Sequence, residues 1–183
     1  MSWDADDDAL MVSVGRGDQT AFNRLIQRHA PQLHAVARRY GCRDAEADEI
    51  VQDIFWRVWT SAKRWQPGAA KVSTWLYRLA ANRTIDYRRA EARRRTDPLD
   101  EDQEFEDEAA NAERSYGDRQ RLSAMQAAIA ELPDRQRMAI ILSVQQEKSN
   151  AEIAEILGSS EGAVEQLMVR ARRTLRDRFR RLE

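Results

Sequence analysis

The stretch NAEIAEILGSSEGAVEQLMVRARRTL, residues 150–175, decides how the chain is read. Ile153, Ile156 and Leu157 recur at helical spacing and form a packing stripe. Gly158 then supplies the left-handed residue of a tight turn, and Ser160 is a good N-cap for a second helix. In that second helix Val164, Leu167, Met168 and Ala171 fall inward, while Glu165, Gln166, Val169, Arg170 and Arg173 fall outward. The layout is that of a helix-turn-helix. Such a second helix can lie in the major groove, with its first turn, Ser160 and Glu161 included, at base edges and its amide end near a phosphate. Seven arginines between Arg170 and Arg181 suit phosphates, which position a protein but carry no sequence information. The plainer alternative is a helical hairpin with a charged, solvated face.

Upstream, almost everything outside one segment also reads as helix, because Ala, Leu, Arg, Glu and Gln dominate and Gly and Pro are few. Periodicity and breakers predict helices over Asp6–Ser13, from near Gln19, over Pro31–Tyr40 with a stop at Gly41, and from Asp44 to about residue 63. Pro67-Gly68 marks a loop, after which Ser73 is expected to cap a long helix into the arginines at 93–95. Further helices are predicted from near Arg119 to Leu132, over Arg135–Val144, over Asn150–Leu157 and over Glu161–Leu182. Residues 97–118 differ: ten acids stand against the single base Arg114, with few apolar residues to order them. The expected fold is all-α. Two small helical domains, 1–95 and 119–183, are joined by an acidic linker at 96–118, and the second carries the helix-turn-helix.

Within the first domain, DEIVQDIFWRVW (48–59) holds a puzzle. Ile50, Val51, Ile54, Phe55, Val58 and Trp59 gather on one helical face, whereas Trp56 joins Glu49, Gln52 and Asp53 on the opposite, wet face. Either the ring is simply one of the exposed aromatics that proteins carry, or another part of the chain covers it, or a partner does, since Trp with a polar rim is typical of interface anchors. The next helix ends in a basic run. Residues 83–95 carry six Arg against Asp86 and Glu91, with Trp75, Tyr77 and Asn82 upstream and Tyr87 within the run. Aromatic and amide groups beside arginines suit unpaired bases. A solvated arginine face over a core of Trp75, Leu76, Leu79 and Ile85 reads equally well.

Composition narrows the classes. The 183 residues carry a net charge of only −1, so it is the uneven placement of charge that matters. No apolar run is long enough to span a membrane, and the acidic N-terminus lacks a signal pattern, so a cytoplasmic location is expected. One cysteine, Cys42, excludes an internal disulfide and fits a reducing compartment.

Taken in order, GDQTAF, DEIVQDIFWRVW, STWLYRLAANRTIDYRR, an acidic gap, LPDRQRMAIIL and NAEIAEILGSSEGAVEQLMVRAR resemble the extracytoplasmic-function (ECF) sigma factors of bacterial RNA polymerase over nearly the whole chain. The resemblance implies roles that spacing does not. The helix matching 44–63 would bind the clamp helices of core RNA polymerase through Asp48, Gln52, Asp53 and Trp56. The loop matching Trp65–Val72, with Gln66 and Lys71, and the helix after it, with Asn82, Arg83, Asp86, Tyr87, Arg88 and Arg89, would capture an unstacked base of the promoter −10 element and help to melt the duplex. The second domain would read the −35 element of promoter DNA and dock on the polymerase flap. The linker would thread toward the RNA exit path, as a nucleic-acid mimic or as a simple tether. An anti-sigma factor, often membrane-bound, would hold the protein inactive, and the regulon would be one of stress or envelope response. A free factor of this kind can also fold its two domains together, with the acidic segment over an arginine-rich face. No cofactor, metal, small-molecule substrate or catalytic activity is expected.

The departures matter too. Where the family usually runs GTVKSRLxRAR, this chain has GAVEQLMVRAR: Glu165 replaces a base, and Gln166 and Leu167 replace a small polar and a basic residue, while Arg170 and Arg172 are kept. Gln can pair with adenine and Glu can accept from cytosine, so the usual −35 preference is not carried over. The loop RWQPGAAKV also differs from the common Phe-Arg-Gly type, leaving the −10 base identity open. Among competing functions, a stand-alone helix-turn-helix regulator leaves Trp56 unexplained. An enzyme would need a phosphate loop or a nucleophile–base pair that the chain does not display. A metal or redox sensor built on His29, His34 and Cys42 has poor helical spacing and no second cysteine.

Overall fold

The structure, a computed structural model, describes residues 3–95 and 124–180, and all regular structure within them is helical. The helices are α1 (Trp3–Gly15), α2 (Gln19–Arg39), α3 (Asp44–Ser61), α4 (Val72–Arg95), α5 (124–130), α6 (Asp134–Ile140), α7 (Asn150–Leu157) and α8 (Glu161–Phe179). A 3-10 turn, Ala62–Arg64, follows α3, and a π turn, Ile141–Gln145, follows α6. The expected acidic linker lies outside the described residues.

Four boundaries differ from those expected, each for a physical reason. First, the two helices expected around Pro31 are one, α2, begun by Asp18, whose carboxylate accepts from the amides of Thr20 (2.8 Å) and Ala21 (3.1 Å). A mid-helix proline removes one hydrogen bond and crowds the previous turn. Here burial on both sides of it, by Ala21 and Leu25 before and Leu33, Val36 and Ala37 after, outweighs that loss. Turned to suit its neighbours, the Gln32 amide also donates to the carbonyls of Arg28 (2.7 Å) and His29 (3.1 Å). Second, α1 is longer than Asp6–Ser13, and burial of its apolar residues Leu10, Met11 and Val14 carries it through its last turn to Gly15. Third, Ser73 lies inside the first turn of α4 and does not cap it, since the Trp75 amide already donates to the Lys71 carbonyl. Fourth, the helix expected over Arg135–Val144 widens into the π turn, a change that side-chain periodicity does not encode.

The core is continuous across the gap in sequence. Helices α1–α4 enclose Leu10, Met11, Leu25, Leu33, Ile50, Ile54, Val58 and Leu76; α6–α8 add Met138, Ile141, Leu142, Ile153, Ile156 and Val164 to the same cluster. α4 packs against α1, α2 and α3 and also against α7. Ala80 and Ala81, both fully buried on α4, carry only a methyl group and admit close approach.

Polar contacts reinforce the junction of the two halves. The Tyr40 hydroxyl donates to Asp134 Oδ1 at 2.6 Å, and Arg89 Nε donates to Asp134 Oδ2 at 2.7 Å. The Arg137 guanidinium lies 4.4 Å from the centre of the Tyr40 ring. Tyr77 donates to Gln146 Oε1 at 2.8 Å, and Arg78 donates to the Glu155 carbonyl on α7. Burial pushes the Tyr40 phenol upward and Arg137 downward. Burial also disfavours the charge on Asp134, but the donors Tyr40 and Arg89 outweigh it and hold that carboxyl below the ordinary range.

A carboxyl whose folded pKa is depressed adds stability that is complete above its unfolded pKa and is lost as pH falls through the folded one. Asp134→Asn is therefore expected to destabilise the chain by about 1 kcal/mol near pH 7. The deficit should be smaller in acid, once the pH has fallen through the lowered folded value of Asp134 and its carboxyl is neutral. Urea titrations near neutral pH and in acid measure it, and a deficit independent of pH would contradict the assignment.

Candidate functional site

The face of α3 is resolved in favour of an open Trp56. Ile50, Ile54, Phe55 and Val58 are buried, each worth roughly 1.5–3 kcal/mol of transfer free energy, whereas Trp56 keeps 68% of its surface exposed. Gln52 and Asp48 are exposed beside it, one and two turns back along the helix. Asp53, expected on the same face, is half-buried and held by Arg83, whose Nε donates to Asp53 Oδ2 at 2.8 Å. Val51 and Trp59 are half-buried, and Trp59 meets Phe22 with ring centres 5.1 Å apart.

On α4, Asn82, Asp86 and Arg89 are exposed at spacings of four and three residues, which makes one stripe. Arg83, Tyr87 and Arg88 of the predicted set are half-buried, with Arg83 turned toward Asp53 and 6.0 Å from the Tyr87 ring centre. Arg89 is engaged by Asp134. The loop before α4 is exposed from Gln66 to Lys71. Its base is anchored: Trp65 stacks at a tilt on Trp75, ring centres 5.4 Å apart, and its indole Nε1–H donates to Asp8 Oδ1 at 2.8 Å. Asp8 was not among the sequence candidates, since the local pattern shows only one acid among several at the N-terminus.

The helix-turn-helix has its expected geometry. Ser149 and Glu152 form a reciprocal capping box at the start of α7. Gly158 sits at φ 58°, and the Ser159 amide reaches back to the Ala154 carbonyl at 2.9 Å, a Schellman-type stop. Ser160 Oγ accepts from the Ala163 amide at 3.2 Å. Val164, Met168 and Ala171 are buried and Leu167 is half-buried. Glu161, Glu165, Gln166, Arg170 and Arg173 are exposed, as is Val169 at 59%. A row of acceptors, donors and one apolar surface is thus presented by a single helix face.

The sensor alternative gains nothing. Cys42 is buried, and burial pushes its thiol up to about 12, far from a reactive thiolate. His29 Nε2 lies 2.7 Å from the buried carboxylate of Asp7, and His34 Nε2 lies 3.4 Å from Asp48. Among the described residues no group of three or more His, Cys, Asp and Glu is placed to hold a metal. A cleft of about 650 Å³ between the two halves is lined by Arg24, Arg28, Tyr77 and Lys148, and none of the predicted site residues lines it. No helix of the described residues is long and apolar enough to cross a membrane.

Comparison with known proteins gives a consistent family. The model for Sigma-70 region 2 matches residues 25–94, and that for Sigma-70, region 4 matches residues 122–175. The chain is 33% identical over 169 residues to the ECF RNA polymerase sigma factor SigM of Mycobacterium tuberculosis, covering 92% of this chain and 82% of that protein. It is 31% identical over 183 residues to the ECF RNA polymerase sigma-E factor of Escherichia coli, covering 96% and 95%. In structure it resembles CnrH in complex with the cytosolic domain of CnrY, with a TM-score of 0.69, 27% identity, and coverage of 94% of this chain and 96% of that one. The sigma factor RpoE of Bartonella quintana, solved with the anti-sigma factor NepR, shares the fold at a TM-score of 0.64 and 21% identity, over 87% and 96%.

The turn generates a prediction of its own. A side chain at the left-handed Gly158 costs about 1–2 kcal/mol, less for Asn. Gly158→Ala should lower stability by about that amount and Gly158→Asn by less, read by thermal unfolding. An Ala variant as stable as wild type would mean that the turn is not held as described.

Proposed function

The chain belongs to the ECF RNA polymerase sigma factors, and we propose from its exposed surfaces how it carries out that role. As an alternative sigma factor it binds core RNA polymerase and directs transcription initiation from a subset of promoters; no catalysis is assigned to the chain itself. The division of labour follows the two family regions. Residues 1–95 hold the polymerase and the −10 element, residues 96–118 connect, and residues 119–183 hold the −35 element and the flap.

The observation that carries this reading is Trp56, open on α3 with Asp48 and Gln52 beside it while the opposite face is buried. A ring left in water forgoes burial energy comparable to that of any core residue on the same helix, and a protein partner recovers it. The clamp helices of the polymerase are that partner. Asp53 joins them after parting from Arg83, which then turns to DNA with Asn82, Asp86, Tyr87, Arg88 and Arg89. Gln66 and Lys71 meet the same strand from the loop.

On α8 the exposed order Glu161, Glu165, Gln166, Val169, Arg170, Arg173 suits a major groove, with Ser160 at the phosphate end. Gln166 has the geometry for adenine, Glu165 for cytosine, and Val169 an apolar surface for a thymine methyl. An anti-sigma factor holds the protein inactive. The partner of CnrH is described by its cytosolic domain, which fits a membrane-bound regulator facing a cytoplasmic sigma factor and a stress or envelope regulon.

Two measurements follow. Trp56→Ala should fold as wild type and lose at least about 1 kcal/mol of affinity for purified core polymerase, roughly fivefold or more; unchanged affinity would place the ring off the interface. Gln166→Ala should relax preference at one −35 position at a cost of about 1–3 kcal/mol, while Arg173→Ala weakens all sequences alike. The same loss for every sequence in the Gln166 variant would remove it from base reading.

A further inference from the structure

The N-terminal acids are not simply a solvated run. Asp7 and Asp8, adjacent on α1, face different elements. Asp7 is buried and pairs with Arg28 and His29 on α2, which fixes α1 to the core. Asp8 faces the loop that leads into α4. Its Oδ1 accepts the indole N–H of Trp65 at 2.8 Å, and its Oδ2 accepts the backbone N–H of Gly68 at 3.0 Å. One carboxylate therefore bridges the base of the loop and its Pro67-Gly68 turn.

A second contact joins the same elements. A Cβ on Gly15, the last residue of α1, would stand 2.8 Å from the Ala62 carbonyl oxygen. The backbone of α1 thus lies directly against the 3-10 turn that begins the loop. Between these anchors, Gln66, Pro67, Gly68, Ala69 and Ala70 are all exposed. Unrestrained, such a segment samples many backbone states, and every one lost on binding DNA weakens binding.

We propose that Asp8 is a positioning residue for promoter opening: its two hydrogen bonds hold the 65–71 loop in one shape, so that the loop receives an extruded −10 base without first having to order. The idea rests on the reading of that loop as the −10 element's binding site. A carboxylate suits the task because charge-assisted hydrogen bonds to N–H groups are about twice as strong as neutral ones. The two donors meet different oxygens of Asp8, so Asn in the same orientation would set its NH2, a donor, against one of them.

The test uses holoenzyme assembled from core polymerase and the full chain, on a duplex promoter carrying 2-aminopurine in the −10 element. Asp8→Ala is expected to lower the fraction of opened promoter about tenfold, with affinity for core polymerase and for a −35 duplex unchanged within about twofold. Trp65→Phe removes one of the two bonds from the other side without touching the charge of α1; it should lower opening in the same direction, and in combination with Asp8→Ala it should add little. Asp8→Glu should restore part of the loss. Loss of core affinity in parallel with opening would overturn the proposal by showing a general structural role. So would wild-type opening by Asp8→Ala and Trp65→Phe when replacement of residues 66–70 by Gly and Ser abolishes opening. Normal opening by the Gly-Ser loop would instead overturn the −10 reading itself.

Discussion

Helix α4 is packed from both sides at once, and the rest of the molecule depends on that constraint. One side meets α1, α2 and α3; another meets α7 from the far half of the chain. Ala80, Ala81 and Thr84 are fully buried between these neighbours, so this part of the helix has no room for larger side chains. The remaining stripe, Asn82, Asp86 and Arg89, is left to solvent. The same helix therefore welds the halves together and keeps a row of polar groups at the surface.

This packing places two of its arginines in competition. Arg83 is held by Asp53 and Arg89 by Asp134, so acids on the protein occupy groups that the sigma reading assigns to promoter DNA. Each pair is partly exposed, and such pairs contribute little individually because water and salt screen them. They are cheap to exchange for phosphates. The part-buried Tyr40–Asp134 contact and the shared apolar core are costlier to break, and they set the free energy of any separation of the halves.

Much of this was legible in the sequence because it is local. The α3 stripe follows from 3.6-residue periodicity, and Trp56 stood out because it broke that pattern. Gly158 and Ser160 announced their turn and cap through backbone chemistry that needs no distant partner. What was missed is long-range or compensated. Pro31 reads as a helix boundary, and only burial on both sides of it keeps α2 whole. Tyr40 and Asp134 are 94 residues apart, and Asp8 and Trp65 are 57 apart, separations across which no periodicity speaks. Ser73 looked like a cap because serine favours that position, but the helix had already begun at Val72.

The central claim is that this chain gives core RNA polymerase a promoter specificity. Purified full-length protein, mixed with core polymerase and a pool of promoter fragments, tests it in one step by run-off transcription. The account predicts transcripts from a restricted subset, dependent on the added chain, with a shared −35 element when the templates are sequenced. Binding of the chain to DNA fragments with no chain-dependent transcript would contradict it and leave a helix-turn-helix protein that works without polymerase.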